Sequence, residues 1–163
     1  MSWLSFLRRR LRRARPRVTS RSGAAALLTE AQRLPASVVF RYDAKNPFAV
    51  RMTVSVAGIQ VEWVFDRDLL VQGVDMPTGL GAVQVWPSSR RSELAGAGDD
   101  IVLIRIAGTG AQATLAVPAE VVRDFVKRAE ALVPAGSESE RLRVDEGIVR
   151  LMEGAGSPGS GTA

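Results

Sequence analysis

Two runs of strict alternation dominate the sequence. Phe48, Val50, Met52, Val54 and Val56 are interleaved with Ala49, Arg51, Thr53 and Ser55, and after Ala57-Gly58 the pattern resumes with Ile59, Val61, Trp63 and Phe65. Period two places the apolar side chains of each run on one face, which a strand can bury and a helix cannot. The two intervening residues, ending in glycine, fit a tight turn. An antiparallel hairpin with one buried face therefore constrains everything else this chain can fold into.

The rest of the chain extends that theme. Ser37 to Tyr42 reads as a strand, and Asp43-Ala44-Lys45-Asn46-Pro47 as the loop before the hairpin. Ala24 to Leu28 fits either a first strand or a helical turn. After the hairpin, Asp68 to Gln72 ending at Gly73 predicts a short helix with a C-terminal glycine. Ala82 to Trp86, Ile101 to Ile106 and Ala111 to Val117 predict three further strands, with a polar loop from Ser88 to Asp100. Pro118 predicts the first position of a second helix, whose stripe is Val121, Val122, Phe125, Ala129 and Leu132. Another short helix is expected over Asp145 to Glu153, then a tail GAGSPGSGTA with nothing to bury. The order strands, helix, strands, helix gives no βαβ alternation. The fold class expected is α+β: one antiparallel β-rich domain of two strands-plus-helix halves, spanning residues 22–153, with a Gly/Ser tail over 154–163.

With 163 residues the chain suits one domain with a sizeable core. No apolar run approaches the roughly 18 residues of a membrane-spanning helix. The sequence contains no Cys and no His, which removes disulfides, Ser/His/Asp and Cys/His catalysis, and the commonest metal ligand. No cofactor or metal is expected. Only carboxylates, Lys45, Lys127 and Tyr42 remain for proton transfer, and they form no visible constellation, so an enzyme is not expected.

The net charge of +5 divides unevenly. Eight arginines from Arg8 to Arg21 stand in the first 21 residues without an acid, leaving 14 basic against 17 acidic residues beyond. The domain is mildly acidic and the basic character belongs to an arm, residues 1–21. In SWLSFLRRRLRRARP, helical spacing puts Trp3, Leu4, Leu7 and Leu11 within an arc of roughly 100°, with Arg8, Arg9, Arg10, Arg12 and Arg13 largely opposite. Pro16 would end such a helix. A basic amphipathic helix fits adsorption to an anionic bilayer. Nucleic-acid contact, a solvated tail and an Arg-rich transit peptide remain open readings, and a secretory signal is disfavoured because Ala24 to Leu28 is too short for its apolar region.

Within VEWVFDRDLLVQG, Asp66 and Asp68 pose a choice between an acid pair and a helix start. The helical residues that follow favour Asp66 as N-cap and Asp68 in the first turn, with Arg67 as a counter-charge. Trp63, Phe65 and Trp86 fit core packing better than base stacking. Gly79-Leu80-Gly81 and Gly108-Thr109-Gly110 are turns, since neither is followed by the lysine and hydroxyl of a phosphate loop.

FRYDAKNPFAV, VEWVFDRDLLVQG, PTGLGAVQVWPS and VVRDFVKRAEALVPAGSES together resemble the SsgA/SsgB family of actinomycete sporulation and cell-division proteins, over about Leu34 to Glu140. The resemblance implies a scaffold related to the whirly proteins, trimeric assembly, a cytoplasmic place at the division septum, and a non-catalytic role. It implies an adaptor in septum-site selection that recruits the tubulin-like FtsZ or another septum-localising partner. A single-stranded nucleic-acid-binding sheet with a basic arm is the alternative. The arm and tail lie outside the family pattern.

Overall fold

The alternation becomes strand β3 (Ala49–Val56) and strand β4 (Ile59–Asp66), paired antiparallel from Ala49↔Asp66 to Val56↔Ile59. At the turn Ala57 has φ 49° and Gly58 φ 83°, the left-handed pair whose twist matches that of the flanking strands. The structure is a computed structural model and describes residues 17–88, 100–108 and 111–140. Strands β1 (Val18–Leu28) and β2 (Arg33–Asp43) precede the hairpin, and helix α1 (Arg67–Gly73) follows it. Strands β5 (Val83–Ser88), β6 (Ile101–Gly108) and β7 (Ala111–Pro118) then lead into helix α2 (Ala119–Leu132).

The described strands form one antiparallel sheet in the order β4-β3-β2-β1-β7-β6-β5. The fold is thus the expected α+β, with β1–β4 followed by α1 and β5–β7 by α2. The halves join where β1 meets β7, over Ala26↔Ala116, Leu27↔Leu115 and Leu28↔Thr114. By contrast β1 pairs with β2 along its whole length.

Strand β1 decides one open reading and begins earlier than expected. It is a strand rather than a helical turn, and it starts at Val18, so an arm ending at Arg21 would take in sheet residues. Arg21 lies opposite Phe40 and ion-pairs with Asp124 of α2 at 2.9 Å. Its segment SRSGAAALL has weak local strand preference, so the ladder with β2 sets its conformation. Gly23 lets α2 approach, for a Cβ there would lie 2.7 Å from a Val121 methyl.

The core fills one face of the sheet. Val38, Phe40 and Tyr42 of β2, Val50 and Met52 of β3, Ile104 of β6 and Leu115 of β7 meet Val122, Phe125 and Ala129 of α2. Phe40 and Phe125 stack with ring centroids 5.3 Å apart. Each such large side chain contributes about 1.5–3 kcal/mol on leaving water. The stripe of α2 is the expected one with Ala119 and Val126 added and Leu132 at its margin. Pro118 is the N-cap of α2 rather than its first residue. It still pairs opposite Ile101 in β7, and Ala119 opens the helix with its N–H donated to Asp100 O at 2.8 Å. A smaller apolar cluster, Ala26, Ile101 and Ala116 with Leu28 and Leu103, is separate from this core. The expected helix over 145–153, the tail over 154–163 and most of the Ser88–Asp100 loop lie outside the described residues.

Candidate binding face

The stretch that posed the acid-pair question resolves into a helix start. Asp66 is the N-cap of α1, and its Oδ1 accepts from Asp68 N–H at 2.9 Å. Asp68 sits in the first turn, where the positive end of the helix dipole favours a carboxylate. Gly73 differs from the expectation. It is buried, and α1 is capped by Val74 in right-handed conformation. Its need for glycine comes from β5, because a Cβ at Gly73 would lie 2.3 Å from Val85 Cγ1.

Arg67 is not a surface counter-charge to its neighbours. Its side chain is 1% exposed and ion-paired with Glu138, which follows α2. Nη1 donates to Val133 O at 2.6 Å and to Tyr42 Oη at 3.2 Å, and Tyr42 Oη donates to Pro47 O at 3.0 Å. The guanidinium also lies 5.3 Å from the Tyr42 ring centroid, a cation–π contact. A buried charge is tolerated when it is paired and hydrogen-bonded in this way. The group ties three segments of the chain together, and its only signal in the sequence is a basic residue just after a strand.

The opposite face of β1–β4 is open. Ser20, Ser22 and Ala24 of β1 are exposed there, as are Val39 and Arg41 of β2, Arg51 of β3, and Glu62 and Val64 of β4. Between β2, β3 and β4 this face dips into a shallow hollow of about 580 Å³, lined among others by Val39, Arg41, Asp43, Thr53 and Val64. Arg51 Nη1 donates to Glu62 Oε1 at 2.9 Å across it. A hollow of this size is in the range of ligand clefts, and the alternation alone does not reveal it. The polar half of a period-two pattern reads as solvated surface, and only the register shows which strands set those residues side by side.

Two of the three aromatics go where expected: Phe65 is in the core and Trp63 packs against it. Trp86 does not, for it alternates with buried Val85 and pairs opposite Leu103, on the outer side of the sheet at its β5 end. The outer face of β1–β4 therefore offers no aromatic for base stacking, and it sets Arg41 and Arg51 against Asp43, Glu62 and Asp66. That balance does not favour a phosphate backbone. Among the described residues, no group of three or more carboxylates is placed to hold a metal ion. No described helix is long and apolar enough to cross a membrane. The arm residues Trp3, Leu4, Leu7, Arg8, Arg9, Arg10, Leu11, Arg12 and Arg13 lie outside the described residues.

The molecule is thus an α+β protein built on one antiparallel sheet, with helices over its core face and the outer face of β1–β4 open. The family model described as Streptomyces sporulation and cell division protein, SsgA, matches residues 36–138. The sporulation-specific cell division protein SsgB of Streptomyces coelicolor is 38% identical over 120 residues, covering 73% of this chain and 83% of that protein. SsgB of Kineococcus radiotolerans is 40% identical over 119 residues, 73% of this chain and 70% of its own. The crystal structure of an SsgA-like sporulation-specific cell division protein from Thermobifida fusca superposes with a TM-score of 0.71 at 28% identity, covering 82% of this chain and 94% of that one. A solved chain from work on SsgB mutations and longitudinal cell division in Streptomyces coelicolor gives 0.64 at 38% identity, covering 77% and 98%. The chain belongs to the SsgA family of sporulation and cell-division proteins.

Proposed function

We propose that this protein is a non-catalytic, oligomeric adaptor of sporulation-specific septation. In this reading it gathers a division protein, FtsZ or a septum-localising partner, at the division septum, with the trimeric assembly that the resemblance implies. The observation that carries the reading is the family match across residues 36–138. The open face of β1–β4 supplies the surface such a role requires, and the absence of His and Cys from the sequence fits a role without nucleophilic or imidazole chemistry. The basic arm adds peripheral contact with anionic membrane.

Co-sedimentation with polymerising FtsZ, combined with imaging of a fluorescent fusion in sporulating cells, tests this. The expected result is protein in the polymer pellet and fluorescence at sporulation septa. A protein that neither pellets with FtsZ nor pulls down another division protein, and that stays diffuse in the cell, overturns the adaptor reading.

A further inference from the structure

We infer that the hollow on the outer face of β2–β4 receives an acidic, aliphatic segment of a partner protein, with Arg41 as its anion contact. The inference rests on the reading of this chain as an adaptor and names the chemistry of what the adaptor holds.

Arg41 and Arg51 are directly opposite each other in the β2–β3 ladder, an arrangement of like charges that works against the sheet. Arg51 is answered by Glu62 at 2.9 Å. The other acids of this face are committed too: Asp43 Oδ1 accepts from Lys45 N–H at 2.9 Å, and Asp66 caps α1. Arg41 is exposed and, among the described residues, has neither an ion pair nor a hydrogen bond. One guanidinium with all five donors open thus stands at the wall of a hollow of about 580 Å³. Its neighbours are apolar. Val39 stands two residues before it in β2 at 39% exposure, and Val64 lies beyond Arg51 in the same cross-strand row at 60% exposure. A carboxylate set beside an aliphatic side chain meets both demands, the first on Arg41 as a charge-assisted pair and the second over Val39 or Val64. A nucleic acid meets only the first, through a phosphate on Arg41, because this face has no aromatic platform for its bases.

The probe is a fluorescein-labelled, end-capped octapeptide of alternating aspartate and leucine, with a twin carrying lysine for aspartate. Fluorescence anisotropy with the full chain should show binding of the aspartate peptide, weakened by salt, and none of the lysine peptide. Arg41→Gln should lower affinity about tenfold, the loss expected for one charge-assisted pair, and Val64→Ser should lower it by about threefold. Both positions are exposed, so a thermal melt matching wild type confirms that the variants fold. No binding by the wild type, or equal binding by Arg41→Gln, overturns the inference, as does competition of oligothymidylate for the same face. If Arg41→Gln loses the peptide yet still reaches septa and pellets with FtsZ, the hollow is not the adaptor surface. If the wild type holds the peptide but reaches no septum, the hollow stands and the adaptor reading falls.

Discussion

Arg67 carries the clearest lesson at the scale of single residues. A guanidinium with 1% of its surface in water is costly unless its partners remain in place, so the group depends on Glu138, Val133 O and Tyr42 together. Glu138→Ala should destabilise the fold by about 3–5 kcal/mol, because it leaves the buried charge without its counter-ion. Glu138→Gln, which keeps an acceptor, should cost less. Urea titrations of both variants check the order, and equal stability of Glu138→Ala and wild type would refute a structural role for the pair. Gly73 makes a steric counterpart. Since a Cβ there would meet Val85 at 2.3 Å, Gly73→Ala should cost about 1–3 kcal/mol through a forced shift of α1 against β5. Neither feature was legible in the sequence, although both residues were noticed. The cap formed by Asp66 was, because it depends on the next few residues alone. The fate of Arg67 depends on a glutamate beyond the second helix, and that of Gly73 on a strand that has yet to pair.

At the scale of elements, the hairpin shows what alternation conveys and where it stops. The phase of β4 is right, yet only its C-terminal half is covered. Phe65 is buried while Ile59 and Val61 remain 69% and 45% exposed. The reason is position: β4 is the last strand of the sheet, and α1 follows directly from its C-terminal end. Alternation reports a face and does not report how far the neighbouring layer extends. The turn of the same hairpin holds a non-glycine residue, Ala57, at φ 49°, a conformation that disfavours a Cβ by roughly 1–2 kcal/mol. Asparagine tolerates it better. Ala57→Asn should therefore stabilise the protein by up to about 1 kcal/mol, seen as a raised Tm with unchanged circular dichroism; a lowered Tm would refute the turn geometry. Strand β1 shows the converse case, since its serines, glycine and alanines hold only a weak β signal and the ladder with β2 decides for a strand.

For the whole molecule, the division into two strands-plus-helix halves was legible from chain order, because it needs only the succession of patterns. The joining of both halves into one sheet was not, for it rests on three residue pairs between β1 and β7. The arm belongs to this scale as well. Its residues should gain helicity on anionic vesicles, and Leu7→Glu with Leu11→Glu should abolish that gain. Circular dichroism with and without vesicles measures it, and binding unchanged by the two substitutions would refute an amphipathic helix. Any deletion designed to remove the arm should stop at residue 16, because β1 begins at Val18 and Arg21 already holds Asp124.

Where that first strand sits has a mechanical meaning. β1 is the middle strand of the seven, not an end strand, and it is hydrogen-bonded to β2 in an unbroken register from Val18↔Asp43 to Leu28↔Arg33. Tension applied to the chain ahead of residue 17 would run along β1, at right angles to those bonds. It would load them side by side in shear instead of peeling them one at a time from a free end. A tether at this end of the chain is attached to the strand best placed to bear a load.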